Sequence, residues 1–293
     1  MEGMKLQIPV EAGRVREEFS LDDRIVLLGS CLADNLGGRL AALGLEVLVN
    51  PFGTLYNPVS VSNSIARLSS EQPFTEKDCV TMGAGAGLVC SFSHHTSFAR
   101  PTAREFLDNA NSCLEAASKA WRAAGKVIIT LGTAWCFEHI RSGLIVSNCL
   151  KIDAKEFNRR RLSAGQIALT LRSVVARHPD KEFIFTVSPI RHLKDGAHGN
   201  QLSKSALLLG VDETVSSVPL RAGYFPAYEI VMDELRDYRF YATDMIHPSE
   251  QTADYLCSRF ISWAYSEADA GELARRDKAL SRQRHRPMRP ESL

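Results

Sequence analysis

The sequence predicts an α/β protein, a three-layer α/β/α sandwich around a mostly parallel sheet. Short apolar runs such as RIVLLG (24–29) and KVIITLG (126–132) end at glycine, which is typical of buried strands. Stretches with apolar residues at helical spacing follow these runs, as in ADNLGGRLAALG (33–44). Strands that alternate with helices in this way form βαβ units and a parallel sheet.

Local signals place the individual elements along the chain. Asn57 followed by Pro58 opens a helix, since Asn caps and Pro fits the first helical position. Thr102 with Glu105 forms a capping box. The turn at 141–143 predicts a hairpin after the third strand. Strands are expected over 24–29, 45–50, 126–132 and 182–189, and helices over about 33–44, 58–68, 102–124, 163–178, 199–209, 224–235 and 249–264.

One domain is expected over residues 1–265, with a less regular insertion around 71–100. Within this body we find neither a linker nor an internal repeat. Residues 266–293 form a basic tail, which we expect to be a frayed helix followed by flexible chain. Its simplest interpretation is a solvated segment, and the alternative is contact with nucleic acid or a partner protein.

Composition excludes several classes of function. The chain has 293 residues and a formal net charge of +1, so no global field favours nucleic acid or an acidic membrane. It contains no run of 18 apolar residues and no signal-peptide pattern at its start, so no membrane partner is expected. Seven widely spaced cysteines without a CxxC pair indicate reduced thiols and a cytoplasmic location.

Polar residues that could perform chemistry follow the strand ends. Sites of open α/β sheets form at the carboxyl edge of the strands. Ser30 follows the first strand on a tight turn, near a helix N-terminus that favours an oxyanion. Asp244 precedes His247 by three residues, which lets the carboxylate reach Nδ1 of the imidazole. This pattern is compatible with a serine nucleophile, its base and an orienting carboxylate.

Two alternatives remain open at the first strand. Ser30 could simply be the N-cap of the following helix. Cys31 is a rival nucleophile, because a helix N-terminus activates a thiol. We expect Ser30 to be the exposed residue of this turn and Cys31 to point toward the protein interior.

Several motifs in order resemble those of the GSCFA family. They read GSCLA at 29–33, NPFGTLYNP at 50–58, LGTAW at 131–135, VSPIRH at 187–192 and DMIHP at 244–248, and the resemblance spans roughly residues 5–265. That family looks like a branch of the SGNH/GDSL hydrolases, whose fold is flavodoxin-like. The resemblance implies that Ser30 is the nucleophile, His247 the base and Asp244 its orienting partner.

The chain departs from the family pattern at two places. Leu32 stands where the family name implies Phe, and the LGTAW segment lacks the Asn that helps form the oxyanion hole in the superfamily. We therefore expect the hole to use the N–H groups of Ser30 and Gly53, or Thr133. The remaining alternatives are the side chains of Asn50, Asn57 and Asn148.

Further residues are candidates for lining a substrate pocket. Arg191 and His192 could bind an anionic group. Trp135 is either a platform for a sugar face or a packed residue. Asn57 and His95 have helix-cap and structural interpretations beside the substrate-lining one. No HxxxH or HExxH pattern exists, so neither a metal nor an organic cofactor is expected.

These observations favour a serine esterase of SGNH type that acts on an O-acyl ester, an O-acetyl group on a carbohydrate being one such ester. The expected partner is therefore a small-molecule or glycan ester. Three alternatives remain open: an acyltransferase, a thiol enzyme that uses Cys31, and an inactive SGNH-like module that binds a glycan or a protein. The acyl group, the alcohol and the oligomeric state stay open.

Overall fold

The computed structural model describes residues 8–85 and 87–284. Its strands are β1 Arg24–Gly29, β2 Glu46–Val49, β3 Val80–Thr81, β4 Val89–Cys90, β5 Lys126–Leu131, β6 Trp135–His139, β7 Leu144–Val146, β8 Phe157–Arg161, β9 Glu182–Val187 and β10 Ala222–Tyr224. Its α-helices are α1 Cys31–Ala42, α2 Pro58–Ser70, α3 Ala103–Ala123, α4 Ala164–Arg177, α5 Gly196–Ser217, α6 Ala227–Glu229, α7 Glu250–Ala264 and α8 Glu267–Arg284.

The central sheet has the strand order β10-β9-β5-β1-β2, and every pair in it is parallel. Helices cover both faces, so the predicted α/β/α sandwich with a parallel sheet is confirmed. One core packs α2, α3, α4 and α5 against Val26 and Ile129 of the sheet. The other packs α1, α7 and Leu273 of α8 against Leu27 and Ile128. Strands buried on both faces explain why their sequences are continuously apolar.

A second sheet of three antiparallel strands, in the order β7-β6-β8, extends from the end of β5. The predicted hairpin is its β6–β7 pair. The sequence did not indicate β8, because its FNRRR segment is mostly exposed and lacks alternating apolar residues. It also did not indicate β10, a three-residue strand whose last residue, Tyr224, is the first residue of a predicted helix.

Part of the predicted tail is ordered structure. Residues 267–284 form α8, whose Leu273 is fully buried and whose Arg276 donates to the Leu43 carbonyl at the end of α1. The tail was expected to be a frayed helix followed by flexible chain. Its first part is the helix α8, and Leu273 supplies an apolar anchor that packs it against the body. Residues 285–293, also expected to be flexible, lie outside the described residues.

Within the described part of the chain, no helix has both the length and the apolar character needed to cross a membrane. All seven cysteines are free thiols.

Candidate active site

The ends of β1 and β5 approach each other closely at the carboxyl edge of the sheet. Gly29 ends β1 with a φ of 131°, a conformation that side chains rarely adopt. A Cβ at this position would lie 2.0 Å from the Thr130 carbonyl oxygen of β5. Glycine is therefore required here, and it brings the start of α1 directly against the end of β5.

Asp244 and His247 form the hydrogen-bonded pair that their spacing predicted. The Nδ1 atom of His247 lies 2.6 Å from Asp244 Oδ2, and the other carboxylate oxygen accepts the N–H groups of Ile246 and His247 at 2.9 and 3.0 Å. These hydrogen bonds lower the pKa of Asp244 to about 2. A carboxylate that stays ionised fixes the proton on Nδ1 and leaves Nε2 as an acceptor, by the logic of hydrolase triads.

The loop that carries this pair is fixed to the end of β9. The N–H of Arg191 donates to the Ile246 carbonyl over 3.1 Å. The N–H of Ala242 donates to the His247 carbonyl over 2.7 Å and closes the loop on itself. The side chain of His247 is half exposed, so its ring can meet a molecule from solvent.

Ser30 does not have the exposure that the sequence predicted for it. It is fully buried, and its Oγ lies 3.0 Å from Thr130 Oγ1 and accepts the N–H of Leu32 over 3.3 Å. The second of these bonds makes Ser30 the N-cap of α1. Among the described residues, no hydrogen bond joins Ser30 to His247. The hydroxyl is therefore shielded by β5 rather than presented at the surface.

Cys31 is the more accessible residue of the turn, contrary to the sequence prediction. It is the first residue of α1 and its side chain is partly exposed. Burial and the nearby Asp34 raise the pKa of its thiol, while the N–H groups of Cys31 and Leu32 and the charge of Lys204 oppose that shift. The turn thus exchanges the roles that we expected for its two nucleophilic side chains.

The three predicted oxyanion donors are engaged elsewhere. The Ser30 N–H donates to the Thr130 carbonyl and hydroxyl, each at 2.9 Å. The Gly53 N–H donates to the Asn50 carbonyl at 2.8 Å. Thr133 donates its N–H to the Tyr56 carbonyl, and its hydroxyl pairs with Ser203 at 3.0 Å. In this conformation none of these groups is free to bind an oxyanion.

His192 is the candidate lining residue that the fold does bring to the site. A Cβ on Gly132 would lie 3.4 Å from both His192 Nε2 and Ser30 Cβ, so these two atoms lie within twice that distance of each other. The Nε2 atom is buried and has no hydrogen-bond partner among the described residues. Burial, together with the positive charge of Lys204, lowers the pKa of His192 to about 4. The ring is therefore neutral at pH 7.

Lys204 was missed by the sequence reasoning. It is 1% exposed, and its Nζ donates to the carbonyls of Gly132 and Ser188 at 2.6 and 2.7 Å, which joins the exits of β5 and β9. Burial lowers its pKa to about 7. The sequence does contain a signal for the burial of Lys204. It lies three and seven residues before Leu207 and Val211, two other buried residues of α5, and this spacing places the lysine on the buried helix face.

Other predicted residues have structural roles in this conformation. Asn57 caps α2 through the N–H of Ser60, and His95 caps the turn that follows it. Asn50 bonds Gly29 and Asp34, and Asn148 bonds the N–H of Leu150.

Trp135 and Arg191 carry ring and cation contacts near the edge. Trp135 is partly buried beneath the guanidinium of Arg159, at 4.7 Å from the ring centre. Arg191 stacks on Tyr238 and Tyr241. Within the described ranges, no group of three or more His, Cys, Asp or Glu side chains is placed to hold a metal ion.

The fold and this edge together define an α/β protein with an Asp–His pair beside a helix that begins with a serine and a cysteine. The GSCFA family model matches residues 24–260, and the chain belongs to this family. A search of curated proteins finds no match.

Two solved structures of esterases show distant similarity. One is a carbohydrate esterase family 2 enzyme with a carbohydrate-binding domain from Corynascus thermopiles (Myceliophthora fergusii), with 11% identity, a TM-score of 0.40, and coverage of 87% of this chain and 67% of that one. The other is the acetyl xylan esterase Est2A from the rumen bacterium Butyrivibrio proteoclasticus, with 7% identity, a TM-score of 0.37, and coverage of 83% and 63%. Similarity at this level does not assign an activity.

Proposed function

We propose that the protein hydrolyses an O-acyl ester at the carboxyl edge of its sheet. The observation that carries this proposal is the His247–Asp244 pair, joined at 2.6 Å and half exposed, at the same sheet edge as the nucleophile-bearing start of α1. An imidazole held by a carboxylate through Nδ1 can take a proton through Nε2, which is the role of a general base.

Each group has a defined part in the reaction. The nucleophile, Ser30 or Cys31, attacks the ester carbonyl while His247 Nε2 takes its proton, and Asp244 stabilises the imidazolium that forms. The alcohol leaves with that proton and an acyl-enzyme remains. Water then attacks the acyl group through the same base, which releases the acid and restores the nucleophile. If a second alcohol replaces water, the same steps transfer the acyl group.

We propose a carbohydrate O-acetyl ester as the substrate class. The partly exposed indole of Trp135 on β6 supports this choice, because aromatic faces stack on the apolar faces of sugar rings. Small-molecule esters are the alternative. A reducing compartment such as the cytoplasm agrees with seven free cysteines.

Turnover of p-nitrophenyl acetate by the full chain tests the proposal. We expect His247→Ala and Asp244→Asn each to lower kcat by about 10²- to 10⁴-fold. His198 is an exposed histidine of α5, and His198→Ala is the matched control, with kcat unchanged. Turnover that does not depend on His247 would contradict the proposal.

A second candidate function, a module that binds a glycan or a protein without catalysis, is favoured by one observation. Ser30 and the three predicted oxyanion donors are all hydrogen-bonded within the protein. A binding module predicts no turnover above background in the wild type, together with retained affinity for the ligand in the His247→Ala variant.

A further inference from the structure

We propose that Cys31, and not Ser30, is the nucleophile of this site. The inference rests on the proposed function, because it assigns the attacking atom of the same acyl-transfer reaction. Both residues lie at the end of β1, and the structure distinguishes them by burial and hydrogen bonding.

Ser30 is held in the interior by three contacts, two of them made by its hydroxyl. Its Oγ pairs with Thr130 Oγ1 and caps the N–H of Leu32, and its own N–H donates to Thr130. Attack by Ser30 would break the capping bond and the Thr130 bond together, and loss of a Ser N-cap alone costs about 1 kcal/mol. With 0% exposure, the hydroxyl also offers no surface to a substrate.

The Cys31 thiol is placed differently on the same turn. It is partly exposed at the first position of α1, a helix of 12 residues whose N-terminal dipole favours negative charge on sulfur. In the part of the chain that the structure describes, the Cys31 N–H has no main-chain or side-chain oxygen as acceptor. That N–H is therefore available to an oxyanion formed on an acyl group bound to the neighbouring sulfur.

Three further groups lie near the Ser30–Cys31 turn. The ammonium of Lys204 is fully buried, and among the described residues it has no carboxylate partner, so a thiolate at Cys31 would be its nearest counter-charge. The unpaired Nε2 of His192 faces the space above Gly132. The ring of Tyr56 borders the same space from the other side. The buried Lys204 and the unused Cys31 N–H can stabilise negative charge during thioester formation, and His192 Nε2 can do so in the tautomer that carries its proton there.

Cys31, His247 and water are sufficient for both steps of the reaction. As Cys31 Sγ attacks the carbonyl carbon, His247 takes the thiol proton, because the raised pKa keeps the resting thiol protonated. The C–O bond of the ester breaks and the alcohol leaves with that proton. A water molecule then attacks the thioester and gives a proton to His247. The C–S bond breaks, the acid departs, and the proton returns to sulfur.

Turnover of p-nitrophenyl acetate by cysteine variants tests this assignment. We expect Cys31→Ala to lower kcat by at least about 10³-fold, and Cys31→Ser to recover part of that loss. The matched control is Cys113→Ser on α3, another partly exposed thiol, with kcat unchanged. Thermal unfolding of each variant checks that the fold is retained, and Cys31→Ser keeps the test valid if Cys31→Ala does not fold.

Ser30 and Cys31 are neighbours and remain on the same peptide after digestion. The chemical stability of the acetyl group on that peptide shows which of the two residues carries it. Neutral hydroxylamine releases an acetyl thioester and leaves an acetyl oxyester of serine intact. Release from acid-quenched wild-type enzyme supports Cys31. An acetyl group that resists hydroxylamine, or a Cys31→Ala variant with wild-type turnover, overturns the assignment while the proposed function stands. A wild-type enzyme without turnover overturns the proposed function itself.

Discussion

At the scale of single residues, two neighbours on one turn have exchanged their expected roles. The sequence motif identified Ser30 by its type, whereas the contacts of the turn place Ser30 inside and leave Cys31 partly exposed. The deciding partner is Thr130, one hundred positions away in the chain. Spacing within a motif cannot show such a contact, because it arises only when β1 and β5 pair.

His192 is predicted to donate a hydrogen bond to the oxyanion. Its ring is neutral at pH 7, because burial lowers its pKa to about 4, and its Nε2 has no partner among the described residues. We expect His192→Ala to lower kcat for p-nitrophenyl acetate by about 10²- to 10³-fold with little change in KM. His192→Gln, which keeps a donor, should recover part of the loss. Equal kcat in the wild type and the alanine variant would exclude this role.

At the scale of elements, the ends of β1, β5 and β9 and the start of α1 meet around the small space beside Gly132. Gly132 is central, because its hydrogen faces Tyr56, His192 and Ser30 at once. Lys204 of α5 holds the exits of β5 and β9 together through two carbonyls. The elements themselves follow from local sequence, but their convergence on this space depends on strand order.

Gly132→Ala should reduce activity without unfolding the protein. A methyl group would meet Tyr56 Cδ1 at 3.2 Å and fill the space between His192 Nε2 and the start of α1. We expect kcat/KM for p-nitrophenyl acetate to fall by about 10²-fold and Tm to change little. Gly125→Ala, which places a methyl group in open space just before β5, is the control and should leave both quantities unchanged. Full activity in Gly132→Ala would show that this space is not used.

Gly29→Ala is expected to destabilise the fold. The new Cβ would collide with the Thr130 carbonyl at 2.0 Å, and a φ of 131° strains any side chain. The expected loss in the free energy of unfolding is at least about 2 kcal/mol, measured by urea denaturation. If the free energy of unfolding falls by only a few tenths of that amount, β1 and β5 can separate at this point at little cost.

At the scale of the whole molecule, the sequence predicted the sandwich well and the details of its edge poorly. The four predicted strands of the central sheet are continuous apolar runs, because they are buried between two cores, and the helices between them carry clear apolar periodicity. The Asp244–His247 pair was also predictable, because three residues of one loop determine it. Lys204 and the burial of Ser30 depend on contacts across the sheet, which the sequence pattern does not contain.

Acid should destabilise the whole fold through His94. Burial among the rings of Phe52, Phe74, Phe98 and Phe106 lowers the pKa of His94 to about 3, so the unfolded chain binds its proton more readily. The contribution to stability is complete above about pH 6.5 and falls toward pH 3 by up to about 1.4 kcal/mol per pH unit. Urea denaturation of His94→Phe should show a shallower loss than the wild type between those values. Parallel curves would contradict this account.

The most direct test of the central claim is to map the acetyl group on wild-type enzyme that is mixed with p-nitrophenyl acetate and quenched in acid. We predict acetylation of Cys31 at the start of α1, with none in the His247→Ala variant. Acetylation at no residue of this edge, or acetylation of Cys31 to the same extent and at the same rate without His247, would contradict it.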